Sequence, residues 1–158
     1  MNTIKNKILN TEEILYSKKV GDRVYSKVHG RYGNITALAR DGILVHFTTW
    51  DGKHEYNCKF EKDGSLIVGG ECMLFPNKST YGWNKLTLNQ LKSDINLTAL
   101  TQRNENIRMG QFIFNYIDDM YNVAREVQFE DNVDCFHLDE KIDEFLLCSL
   151  KRINNYIG

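Results

Sequence analysis

The sequence predicts an α+β fold: a small five-stranded β-barrel over residues 18–86, a helical C-terminal module over 87–158, and an N-terminal arm or short helix over 1–17. Three observations lead there. Asp-Gly pairs at 41–42, 51–52 and 63–64 recur every 10 to 12 residues between stretches of alternating apolar residues, the pattern of successive hairpins in a bent antiparallel sheet. Beyond Trp83 the apolar spacing changes from two to that of a helix. Pro76, the single proline, stands where the last strand ends, as suits a residue that has no N–H to give a ladder.

The elements follow in chain order. Ile4, Ile8, Leu9, Ile14 and Leu15 are set among polar residues, and Asn10-Thr11-Glu12-Glu13 offers a helix cap with acids in the first turn. Gly21-Asp22 opens a strand from Arg23 to Val28, and Gly30 to Gly33 reads as a turn. The second strand alternates Ile35, Ala37 and Ala39 as far as Arg40. Ile43 to Thr49 places Ile43, Val45 and Phe47 on one face and Leu44, His46 and Thr48 on the other. Lys53 to Phe60 returns with Tyr56, Cys58 and Phe60 on one side, and Leu66 to Val68 and Cys72 to Phe75 complete the strands. In the second half, Thr87 to Leu100 is leucine-spaced and fits a helix or a connector. Asn106 to Tyr121 has helical periodicity with Gly110 as a close-packing point, and Asp139 to Tyr156 repeats it, with acids at its start and Lys151-Arg152 near its end.

Two stretches resemble known families. Val20-Gly21-Asp22-Arg23-Val24-Tyr25-Ser26, Gly30-Arg31-Tyr32-Gly33-Asn34-Ile35 and Ile43-Leu44-Val45-His46-Phe47 resemble the opening of SH3-like or Tudor-like barrels, such as the C-terminal barrel of bacterial repair helicases and uncharacterised proteins of phages and gut bacteria. That resemblance covers residues 18–76 and implies an SH3-like fold, whose members bind proteins or nucleic acid. Asn106-Ile107-Arg108-Met109-Gly110-Gln111-Phe112-Ile113-Phe114-Asn115 and Asp134-Cys135-Phe136-His137 are similar to a small helical family of bacteria and phages. It implies a mobile-element origin and carries over no catalytic role.

Composition narrows the function classes. With 42% hydrophobic and 26% charged residues the chain is of ordinary globular make-up. No run approaches the ~20 apolar residues of a membrane span, and no signal core follows Met1, so the expected location is the cytoplasm, the host's if phage-encoded, with no membrane partner. Cys58, Cys72, Cys135 and Cys148 are widely spaced, with no C-x-x-C pair, and read as reduced core thiols. Residues 1–86 carry 13 Lys/Arg against 9 Asp/Glu and residues 87–158 carry 7 against 12, which together give the net charge of −1. Such asymmetry fits a basic nucleic-acid face, an acidic face for a basic partner, or two modules that attract one another.

The candidate binding residues are Tyr25, His29, Arg31, Tyr32, Trp50, Lys53 and His54, on strand ends and turns where rings and cations can anchor a partner, enclose a cation or stack on bases. Metal and catalytic sets are weaker. His54 and Cys58, approached by Cys72, and the pair Cys135 and His137 supply no four clustered ligands. Asp118-Asp119, Glu130-Asp131 and Asp139-Glu140 lie near helix ends, where acids cap or stay solvated. There is no G-x-S-x-G, phosphate-binding glycine loop or dinucleotide fingerprint, so no cofactor, metal or catalytic residue is implied. The reading is a non-enzymatic phage or mobile-element protein that docks on a host protein, with a CRISPR-type defence nuclease as candidate target and the acidic tail as a phosphate mimic. The alternative is a nucleic-acid-binding accessory protein that tracks phosphate with Lys18, Lys19, Arg23, Lys27, Arg31 and Lys53.

Overall fold

The computed structural model describes residues 10–79 and 82–158. The predicted contributions of Ile4, Ile8 and Leu9 lie outside the described residues. The chain divides into two compact units, Met1–Pro76 and Asn77–Gly158, the first built on a sheet and the second on helices.

Helix α1 (Thr11–Tyr16) begins where the sequence offered a cap, with the Asn10 side chain accepting a hydrogen bond from the Glu13 N–H at 2.8 Å. Its Leu15 is fully buried, and the Tyr16 hydroxyl donates to the Ala39 carbonyl at 2.7 Å. The strands β1 (Arg23–Ser26), β2 (Arg31–Ala39), β3 (Gly42–Thr48), β4 (Glu55–Phe60) and β5 (Leu74–Phe75) form one antiparallel sheet in the order β4-β3-β2-β1-β5. Val24, Ile35, Ile43, Val45, Phe47, Phe60 and Leu74 are all buried. The predicted alternation is therefore met in β3 and β4. In β2 a register shift between Ile35 and Ala37 interrupts it, so Leu38 rather than Ala37 pairs with Ile43.

Two expectations change. Arg31 to Gly33, read as a turn, belongs to β2; the turn is the Lys27–Gly30 segment, closed by the Gly30 N–H on the Ser26 carbonyl at 2.8 Å. Gly33 is needed there for approach, since a Cβ would lie 2.6 Å from the His46 carbonyl oxygen and 2.7 Å from the Phe47 ring. Leu66 to Val68, read as strand, is a loop, and β5 is only two residues long. With that segment outside the ladder, no pairing joins β4 to β5 among the described residues, and the sheet is open where a closed barrel was expected.

The second unit starts before the predicted boundary, at Asn77 in place of 87. Leu86 explains part of this: it is buried in the helical core, and its N–H and carbonyl are both paired with the Asn154 side chain, at 2.8 and 2.9 Å. Moving the division to Pro76 leaves 11 Lys/Arg against 9 Asp/Glu in the first unit and 9 against 12 in the second, so the charge contrast is milder than a split at 86 suggests. Helix α2 (Leu88–Gln102) carries a capping box from Thr87 and Gln90 and buries Leu91 and Ile95, while Leu97 and Leu100 face solvent. Helix α3 (Met109–Tyr121) buries Gly110, Ile113, Phe114, Ile117 and Tyr121, one stripe at helical spacing, and stops at Asn122 in the left-handed region. A short helix that the sequence did not suggest, α4 (Ala124–Phe129), buries Ala124 and Val127. A 3-10 turn (Asp139–Lys141) leads into α5 (Ile142–Ile157), whose Phe145, Leu146, Ser149, Ile153 and Ile157 complete the core. Each fully buried Phe or Ile contributes roughly 1.5–3 kcal/mol by leaving water. No helix among the described residues is long and apolar enough to cross a membrane.

Candidate interaction surface

The strand registers dictate what the outer face of the sheet presents. Val24 pairs with Gly33 and Ile35 with Val45, all buried, so their sequence neighbours point outward. Arg23 pairs with Asn34, Asn34 with His46, and His46 with Asn57, giving one polar row across four strands. One step along, Phe75 pairs with Tyr25 and Tyr25 with Tyr32, giving an aromatic row beside it. Tyr25 and Tyr32 meet edge to face with centroids 5.0 Å apart, and the Arg23 guanidinium lies 4.6 Å from the Tyr32 centroid.

At the β3–β4 end this face deepens into an open cleft of about 220 Å³ lined by Arg31, Tyr32, Asn34, His46, Thr48 and Trp50. Arg31 is set by three contacts: it donates to the Thr48 carbonyl at 2.7 Å and to the His29 carbonyl at 3.4 Å, and its guanidinium stands 5.3 Å from the Trp50 ring centroid. Trp50 itself is 86% exposed. It is held out by a tied turn, in which the Asp51 carboxylate accepts from the Thr49 hydroxyl at 2.6 Å and the Lys53 N–H at 3.0 Å, and Thr49 Oγ1 accepts from the His54 N–H at 3.1 Å. The Thr49 hydroxyl and the Lys53 N–H together hold the Asp51 carboxyl below its ordinary range.

Of the predicted residues, Tyr25, Arg31, Tyr32 and Trp50 thus come together. Lys53 and His54 are exposed on the adjoining turn, outside the cleft lining. His29 turns the other way: its ring packs 4.6 Å from Phe47 and near Tyr56 and Phe60, and its Nδ1 is 2.7 Å from Ser26 Oγ. Burial, then the Arg31 charge, lowers its pKa, so the ring stays neutral around pH 7. The Ser26 hydroxyl in that pair is fully buried and also accepts from the His29 N–H at 3.2 Å, which makes the pair a turn cap. Asn34, His46 and Thr48 were missed as site residues, although β3 had already placed His46 and Thr48 outward. Only the inter-strand register puts them beside Arg31.

The second unit gathers the two segments singled out in its sequence. Arg108 occupies the N-cap position of α3 without a side-chain bond to the helix end; its guanidinium instead pairs with Asp139 at 2.7 Å and donates to the Phe136 carbonyl. Asp139 accepts from the Gly110 N–H at 3.1 Å, so it caps α3 from 29 residues away. Cys135 is fully buried and donates to the Gly110 carbonyl at 3.3 Å, with burial first and the Asp134 charge second pushing its thiol up to about 12. His137 pairs with Asp134 at 2.7 Å. These contacts join α3 to the loop before α5. The four cysteines are free thiols, and among the described residues no three His, Cys, Asp or Glu side chains are grouped to hold a metal ion. No protein-family model, curated protein or solved structure matches the chain.

Proposed function

We propose that the chain is a non-enzymatic binding protein that docks on another protein through the outer face of its sheet, centred on Trp50. The observation that carries this reading is the exposed Trp50 indole with the Arg31 guanidinium over its ring, next to the paired Tyr25 and Tyr32. Trp, Tyr and Arg are the residue types that dominate binding energy at protein interfaces, and here they share one patch. A meander of five antiparallel strands whose last pairs with its first supports placing the sheet among SH3-like modules, in an open form. A non-catalytic role accords with the buried Ser26 beside His29 and with Cys135, whose thiol stays protonated at neutral pH. The mobile-element origin that the resemblance of the helical half implies makes a host protein the expected partner, with a defence nuclease the candidate class.

A second reading has its own observation. Arg23 over Tyr32 and Arg31 over Trp50 are cation–ring pairs that can also hold phosphate and base, with Lys27 and Lys53 exposed nearby in sequence. One experiment separates the two: affinity capture from a nuclease-treated bacterial lysate with the native chain and with Trp50→Ala, washed at low and at high salt. A stoichiometric protein that survives high salt and is lost with Trp50→Ala supports docking on a protein. Nucleic acid that leaves with salt supports the second reading, and a protein retained equally by Trp50→Ala overturns the assignment of the surface.

A further inference from the structure

The loop between Asp63 and Cys72 presents Leu66, Ile67 and Val68 to solvent, at 38%, 70% and 85% exposure. Three consecutive aliphatic side chains outside the core are unusual for a surface with no partner. The loop is held from below. Ser65 is fully buried and bridged to Cys72, its N–H donates to Asp63 Oδ1 at 3.0 Å, and its hydroxyl lies 2.6 Å from Asp63 Oδ1 and 2.8 Å from the Ile67 carbonyl. The Gly70 N–H donates to the same Ile67 carbonyl at 3.0 Å, and the Met73 N–H to Gly64 at 2.9 Å. The aliphatic tip is thus displayed in a fixed shape by bonds that do not involve its side chains.

Its surroundings state which partner fits. Val68 and Gly69 line a cleft of about 350 Å³ with Glu12, Asp41, Glu61, Lys62 and Asp63. Lys62 is 3.9 Å from Glu12 and Lys59 is 2.8 Å from Asp41, so four carboxylates meet two lysines and the rim keeps a net charge of −2. Glu71, exposed just past the tip, adds to it. An apolar tip that borders an acidic cleft through Val68 disfavours nucleic acid and anionic lipid and favours a protein segment that sets apolar residues beside Lys or Arg.

We propose that the 66–68 tip is a second docking site, independent of the Trp50 surface, for a basic, apolar segment of a partner protein. Its test uses fluorescein-labelled peptides of ~12 residues read by anisotropy against the full chain, with affinities compared as Kd ratios. The peptides are Lys/Leu, Glu/Leu and Lys/Ser, and the chains are native, Ile67→Ser/Val68→Ser, Glu61→Gln and Trp50→Ala. The native chain is expected to bind Lys/Leu about tenfold tighter than Lys/Ser or Glu/Leu, and to lose about tenfold with the double substitution. Glu61→Gln should weaken binding about twofold at low salt and leave it unchanged at high salt, as a screened rim charge requires. Trp50→Ala should leave it intact, which keeps this site distinguishable from the surface of the proposed function. Equal affinity of native chain and double variant, preference for Glu/Leu, binding to phosphatidylcholine/phosphatidylserine vesicles instead, or no binding of any peptide would each overturn the proposal. All substituted side chains are exposed or half-buried, and an unchanged thermal melt verifies that each variant is folded.

Discussion

Gly110→Ala tests the join between α3 and the loop that precedes α5. An alanine Cβ at this position would collide with the Cys135 carbonyl oxygen and lie 2.6 Å from Asp139 Oδ1, against a normal contact near 3.4 Å. The contact with Cys135 is to backbone, so α3 and the 135–139 segment must part by about an ångström. That movement breaks the Gly110 N–H bond to the Asp139 carboxylate and the Cys135 thiol bond to the Gly110 carbonyl. A bond to a charged acceptor contributes about 1.5–3 kcal/mol and the thiol bond less. Alanine returns at most about 1 kcal/mol of helix propensity. The net loss is about 2 kcal/mol or more, which for a unit of this size lowers Tm by roughly 10 °C. Circular dichroism at the helical band, followed through heat and urea unfolding of the full chain, reads this directly. A Tm equal to or above that of the native chain would refute the close approach and with it the account of why glycine stands there.

Other substitutions test other parts of the second unit. Arg152 donates to Asp131 at 2.8 and 2.9 Å and lies 3.1 Å from both Glu126 and Glu130, so Arg152→Met should destabilise by about 1–3 kcal/mol, discounted for its partial exposure. Hydrogen bonding to Arg152 holds the Asp131 carboxyl below its ordinary 3.8, so its stabilisation is present above that value and is lost as pH falls through the lower folded pKa; the difference between native chain and Arg152→Met, measured by urea unfolding across pH, should therefore shrink below about pH 3.8. Ser149 is fully buried and its hydroxyl has no hydrogen-bond partner among the described residues, so Ser149→Ala should raise stability by about 1 kcal/mol in the same assay. Cys135, buried with its thiol pushed up to about 12, should react with a disulfide reagent at neutral pH only on unfolding, after the half-buried Cys58, Cys72 and Cys148; early labelling of Cys135 would contradict its place in the core.

Where side-chain alternation and turn residues decide structure locally, the sequence was sufficient. Asp51-Gly52 and Asp63-Gly64 form turns with positive φ at the glycine, and Ile43, Val45 and Phe47 are buried as their spacing requires. Asn10 and Thr87 cap the helices that follow them. The errors have non-local causes. Leu66 to Val68 has strand composition, yet no strand among the described residues takes up its backbone, and it is a loop. The β2 alternation holds as far as Ile35, and the register shift that follows it carries Ala37 and Ala39 out of phase. Of the candidate surface, Trp50, Arg31, Tyr32 and Tyr25 were legible because Trp, Tyr and Arg at hairpin ends have few structural uses. His29 was misplaced because a histidine beside a turn can face either way, and the Ser26 hydroxyl that draws it inward is visible only in three dimensions.

Among the described residues the open sheet has two unpaired margins, and each resists extension. At one margin β4 alternates Glu55, Asn57 and Lys59 outward, placing both signs of charge along that edge. At the other β5 offers two residues before Pro76 ends it. A visiting chain that tried to continue the sheet would find charge on one side and almost no length on the other. Growth into stacked fibrils and recognition by strand addition are both disfavoured by the same construction. Recognition by this sheet therefore has to run through side chains standing on its face and at its turns, and its specificity has to come from their shapes and charges more than from backbone pairing.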